Sequence, residues 1–293
     1  MFAGASPAYW AAFGGVVAVL LFIDLGLLQR SSVSARLAWG WTAVLAALAF
    51  FFALFLSQTQ GKQRGLEFLS GYLVEGSLSV DNLFVFLLMF RSLRLDAEQQ
   101  RRILLWGVLG AIVMRGIFIF IGASLLAHFV WVEYIFGAFL LYAALRLLRH
   151  NPEAPPKAAR WLMGRAGGSS LAVSSFLLIV LAVEATDLIF AIDSIPAVLA
   201  ITRDTFIVYT SNIFAILGLR SLYFALSHAL DRLRLLHYGL ALILVFVGVK
   251  MMLSSWIEIP ITWSLGIIVA ILVAFAVASR VIAPKPAAPQ PQS

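Results

Sequence analysis

The chain has 293 residues, of which 62% are hydrophobic and only 12% charged, and its mean hydropathy is +0.98. Soluble domains are roughly 45–50% apolar and about 25% charged, so a secreted or cytosolic enzyme is excluded and the solvent must be a bilayer. No cysteine occurs, which removes disulfides, thiolate metal sites, iron–sulfur clusters and cysteine nucleophiles, and the formal charge of +7 has to be read by its placement.

Taken in chain order, nine apolar blocks approach the roughly 20 residues that cross a hydrocarbon core. They cover about 8–28, 38–57, 66–90, 103–127, 129–148, 171–200, 205–226, 236–256 and 261–282. Each is predicted to be a helix, because a lone spanning segment has to satisfy its own backbone. The expected fold is therefore all-α and polytopic, a single transmembrane domain over 1–283 followed by a proline-rich disordered tail at 284–293. The first block lacks a basic n-region and is too long for a cleavable signal.

Basic residues set the expected orientation. Fourteen of the 21 lysines and arginines fall in one set of loops and ends, among them Arg36, Arg94, Arg102, Lys157 and Arg234, against only Lys62, Arg64 and Arg203 in the other. Under the positive-inside rule the N-terminus faces out and the C-terminus faces the cytoplasm of an inner (plasma) membrane protein. That accounts for the positive charge topologically, with lipid rather than nucleic acid as the partner. Asp24 and Glu67 lie near span ends and are expected at the headgroups, with a polar network as the alternative for Asp24, and Glu133 is expected at the interface.

An internal repeat is also legible. DNLFVF at 81–86 matches DLIFAI at 187–192 with an offset of 106, Arg115 matches Arg220 at 105, and Tyr134 and Arg146 match Tyr238 and Lys250 at 104. Spans 3–5 (66–148) and 6–8 (171–256) then form two copies, and three helices per copy require the second to enter the membrane from the opposite side. Inverted repeats of this kind are typical of secondary transporters, whose sites lie near the midplane.

The third span carries Glu75 and Asp81 deep in apolar sequence, and the sixth carries Glu184, Asp187 and Asp193. A carboxylate at the bilayer centre costs a few kcal/mol, so five of them need compensation. Arg115 and Arg220 in neighbouring spans can balance two, and the excess must hold protons or await a mobile cation. Glu184 and Asp187, three residues apart, share a helix face, whereas Glu75 and Asp81 are six apart and need a bend near Gly71 or Gly76 to converge. Pro196 is expected to break the sixth span and free carbonyls beside Asp193. Asn82, Ser79, Thr186, Ser194 and Asn212 add neutral oxygens. An all-oxygen donor set favours Mn²⁺, Mg²⁺ or Ca²⁺ over copper or zinc. The four histidines show no paired ligand spacing, no P-loop is present, and nothing argues for an enzyme.

EGSLSVDNLFVF at 75–86 and VEATDLIFAIDSIPAVLAIT at 183–202 resemble the two signature segments of the TerC family of integral membrane proteins. That family includes tellurium-resistance proteins and the Alx-type proteins associated with manganese export. The resemblance implies a transporter-like fold and gives Glu75, Asp81, Asn82, Glu184, Asp187 and Asp193 a metal-binding role, with Mn²⁺ as the transported ion and no other cofactor. Protons are the expected coupling ion. The alternatives are a membrane scaffold or assembly factor whose polar network is purely structural, and a proton-coupled exporter of another solute linked to tellurite resistance.

Overall fold

The computed structural model describes residues 6–28, 34–93, 95–129, 131–149, 172–226, 236–253, 256 and 259–281. Among these, all regular structure is helical. The helices are α1 (Pro7–Leu28), α2 (Ala35–Thr59), α3 (Lys62–Ser92), α4 (Ala97–His128), α5 (Trp131–Arg149), α6 (Ala172–Leu199), α7 (Thr205–Leu226), α8 (Leu236–Met252) and α9 (Ile261–Val281). The predicted tail at 284–293 and most of the link between the two predicted repeats lie outside the described residues.

Each apolar block becomes one helix, and the helices overrun the blocks where local signals allow. Helix α4 begins at Ala97, not near 103, because Asp96 and Gln99 form a reciprocal capping box that satisfies the first free amides. Helix α2 stops at Gln60 and Gly61, the latter at φ 103°, a left-handed conformation that glycine adopts without strain and that turns the chain directly into α3. Helix α6 departs from expectation in the other direction: Pro196 does not break it. The proline falls in the last turn of a helix that runs unbroken to Leu199, where losing one amide donor costs little continuity.

The surface is apolar as well as the interior. Phe22, Phe51, Val113 and Trp263 are 79%, 63%, 60% and 69% exposed, an apolar perimeter that only lipid can cover. By length and composition α1, α2, α4, α7 and α9 can each cross a membrane, and α5 and α8 carry shorter apolar stretches. The interior is where helices approach through small residues. A Cβ on Gly248 of α8 would lie 3.0 Å from the Gly137 carbonyl of α5, and one on Gly71 of α3 would lie 2.8 Å from Ser211 Oγ of α7. Such close backbone approach is the usual basis of helix association in lipid.

The pairing of helices places the centre. Helix α3 packs on α7 and α6 packs on α4, while α5 meets α8, α3 meets α6 and α4 meets α7; α1 and α2 pack on α7 from outside. Three short connections share one end of the bundle. Arg64 reaches Asp204 at 2.7 Å, Thr202 donates to Glu67 at 2.6 Å, and Arg203 pairs with Glu133. Glu133 is thus buried against Arg203 at this end of the bundle. At the other end Tyr223 of α7 donates to Gln100 of α4 at 2.8 Å. In a chain without cysteine this arrangement is easily checked. Single cysteines at Lys62 and Phe129 should react with a membrane-impermeant thiol reagent from one side of the membrane, and one at Glu98 from the other; labelling of Lys62→Cys and Glu98→Cys from the same side would contradict it.

Candidate functional site: a buried arginine–carboxylate centre

Arg115 stands 13 residues before the end of α4, Glu75 13 residues after the start of α3, and Asp187 12 residues before the end of α6. At about 1.5 Å per residue these helices bring all three side chains to one depth, near the middle of the bundle. Arg115 is fully buried, between Ala111 and Ile119, which belong to two separate apolar clusters.

An arginine in such a place must spend its donors on protein. Its Nη2 donates to Asp187 Oδ1 at 3.1 Å and its Nε to Asp187 Oδ2 at 3.4 Å, the two-point geometry that a guanidinium offers a carboxylate. Its Nη1 pairs with Glu75 Oε1 and also donates to Asn212 Oδ1 at 2.9 Å and to Ser194 Oγ at 3.4 Å. Asn212 is held in turn because its Nδ2 donates to the Val208 carbonyl at 3.1 Å. Four helices, α3, α4, α6 and α7, thus meet at one cation.

The centre is not electrically closed. Glu75 is 0% exposed, yet its Oε2 has no hydrogen-bond partner among the described residues. Glu184, one turn from Asp187 on α6, is half-buried, and its Oε1 also lacks a partner. Asn82 is 3% exposed with its Nδ2 unpartnered. Buried polar groups are nearly always satisfied, so the orphaned oxygens of Glu75 and Glu184 mark a place built for something more. The Glu184 carboxylate occupies the space that a Cβ on Gly110 of α4 would fill. Because the obstacle is the far end of a flexible side chain, Gly110→Ala should leave membrane insertion and melting temperature close to the parent. It should displace Glu184 and change any transport that uses it; unchanged flux would show that Glu184 is not part of the path.

Of the predicted site residues, Glu75 and Asp187 are brought together on Arg115, Ser79 lies 3.5 Å from Glu75 Oε1, and Glu184 is one turn from Asp187, whereas Asn82 lies two turns beyond Glu75 on α3. The side chains of Asp81 and Asp193 lie outside the described residues, although both belong to α3 and α6. Among the described residues no three of His, Cys, Asp and Glu converge as a ready metal-ligand group.

The structure places Arg220 elsewhere than the sequence reading did. It pairs with Asp24 of α1, which also accepts a hydrogen bond from Trp41 Nε1 of α2 at 2.9 Å. Asp24 is 3% exposed, buried between helices in a polar contact. The polar network that the sequence offered as the alternative for Asp24 is the one found, but its partners, Arg220 and Trp41, were not legible along the chain. The available signal was a lone carboxylate in one apolar helix and a lone arginine in another.

Lipid-facing helices around a buried charged centre define a polytopic α-helical membrane protein. The chain belongs to the integral membrane protein TerC family, whose family model matches residues 60–287. It is 44% identical to the Escherichia coli K12 protein named "Putative membrane-bound redox modulator Alx", over 92% of each chain. A Myxococcus xanthus protein described only as the membrane protein STKORF319 is 41% identical, over 94% of this chain and 93% of its own. A Rickettsia felis membrane protein is 32% identical over 92% of this chain and 96% of its own. No solved structure matches this chain.

Proposed function

We propose that the protein exports a divalent metal cation, Mn²⁺ in the first place, across the inner (plasma) membrane, with its N-terminus outside and its C-terminus in the cytoplasm. The observation that carries the reading is the charge imbalance at the centre: Arg115 alone faces Glu75 and Asp187, with Glu184 one turn away. Asp81 and Asp193 belong to the same site in this proposal. Because Arg220 is engaged by Asp24, the group Glu75, Asp81, Glu184 and Asp187 keeps one balancing arginine instead of two. A low-dielectric site with surplus carboxylates resists full ionisation, so it holds protons when empty and releases them to a dication. Proton entry is then the coupling step. Oxygen ligands of this kind suit Mn²⁺, Mg²⁺ and Ca²⁺.

The helix pairing supports an inverted repeat within a single membrane domain over 1–283. Exchanging α3, α4 and α5 for α6, α7 and α8 maps the α3–α7 contact onto α6–α4 and leaves α3–α6, α4–α7 and α5–α8 as pairs with themselves. That is the relation a pseudo-two-fold axis in the membrane plane produces. The acidic centre has the wrong sign for tellurite, so any tellurite phenotype is indirect. The Escherichia coli relative is named for redox modulation; lacking cysteine, this chain would exert any such effect through its cargo rather than through its own thiols.

A second reading, a scaffold rather than a transporter, is favoured by one observation: Arg115 is saturated by acceptors from three other helices, as a structural lock would be. The test is Mn²⁺ flux into proteoliposomes under an imposed pH gradient, with Mg²⁺, Ca²⁺ and no cation as comparisons. Saturable, proton-linked Mn²⁺ movement supports export; a properly inserted protein that moves none of these ions supports the scaffold.

A further inference from the structure

Arg220 is 1% exposed, and although its Nη1 is paired with Asp24, its Nε and Nη2 have no hydrogen-bond partner among the described residues. Arg220 and Asp187 line the same cavity of about 20 Å³, whose other walls are apolar, such as Leu83, Val108 and Ile216. Among the described residues, Asp187 and Arg220 are the two charged side chains of that lining, whose surface is otherwise apolar. Arg220 therefore has two donors without a partner among the described residues, and it shares a cavity with Asp187, a residue already held by Arg115.

From this placement we infer that Asp24 is a positioning residue for cation binding: it draws the Arg220 charge toward α1 and away from Asp187. The inference rests on the export reading. It adds a helix to the site that lies outside the matched residues 60–287 and outside the two signature segments. Physically, a guanidinium free of Asp24 would swing its charge toward the cavity and compete with the incoming dication for Asp187. With Asp24 ionised, that charge is neutralised locally and Asp187 stays open to the dication. Trp41 Nε1, 2.9 Å from Asp24 Oδ1, fixes the carboxylate in the orientation that holds the arginine.

The test is the concentration dependence of Mn²⁺ flux in proteoliposomes, normalised to inserted protein. Asp24→Asn should raise the apparent KM at least about tenfold with the maximal rate little changed, since one uncompensated charge in a low-dielectric interior acts strongly on a dication. The pair Asp24→Asn with Arg220→Gln, which removes both charges, should bring KM back toward the parental value, a recovery that a merely structural ion pair does not predict. Should Asp24→Asn fail to reach the membrane, the reversed pair Asp24→Arg with Arg220→Asp keeps the charges matched and should lower KM. An inactive parental protein would overturn the export reading and this inference with it. An active parent whose KM is the same in the single variant, or in the reversed pair where that is used, would overturn the inference alone.

Discussion

Asp187→Asn is expected to abolish Mn²⁺ efflux while the protein remains at parental levels in the membrane. Asparagine keeps the shape of the side chain and one acceptor oxygen, so Arg115 retains a hydrogen bond from α6 and keeps Glu75 as its ion pair. What disappears is one unit of negative charge from the proposed cation site, where the dication would have to replace its hydration shell. Charged groups at this depth are expensive and are kept for function, and a cation site losing one of its carboxylates loses affinity by orders of magnitude. The measurement is manganese tolerance of a sensitive host together with flux in proteoliposomes, each normalised to membrane protein. Parental flux from Asp187→Asn would remove Asp187 from the site. A scaffold would behave differently, with reduced insertion or stability and no flux in the parent either.

Removal of Arg115 carries the largest expected effect on stability. Arg115→Met would leave Glu75 and Asp187, both buried, facing each other without a cation. Breaking a buried pair by deleting one partner typically costs about 3–5 kcal/mol because the remaining charge is uncompensated. Here two carboxylates lose the same partner, so the variant should survive only by taking up protons. Its thermal stability in detergent should therefore be sharply lower than that of the parent at pH 8 and recover as the pH falls toward 5. The direction follows from the protonation: the neutral acids need no counter-charge, so acid favours the folded variant. Arg115→Lys keeps the charge but not the fork that spans Asp187 and Glu75, and should lie between the two. Equal stability of Arg115→Met and the parent across that range would show that the centre does not depend on the arginine.

Much of this protein was set by its sequence acting locally. Nine apolar blocks become nine helices among the described residues because a backbone in lipid has no other way to satisfy its amides, and that requirement reads directly from hydropathy. The acidic positions in the third and sixth spans, and Arg115 beside them, were legible for the same reason: a charge in apolar sequence is conspicuous. Helix ends were less so, since Asp96 and Gln99 extend α4 by a capping geometry that hydropathy does not register. Pro196 was misleading, because its consequence depends on whether it falls in the middle or the last turn of its helix.

Which charge answers which was decided only by the tertiary structure. Along the chain, Arg115 and Arg220 match at an offset of 105, and each reads as able as the other to balance the midplane carboxylates. In the bundle they are not equivalent, because α1 and α2 pack on α7 and bring Asp24 and Trp41 to Arg220, while α3 and α6 close on Arg115. A Coulomb interaction depends on distance and surroundings, and neither exists until the helices have chosen neighbours. The sequence therefore determined that buried charges must be paired, and packing determined that one arginine holds the centre while the other is held by α1.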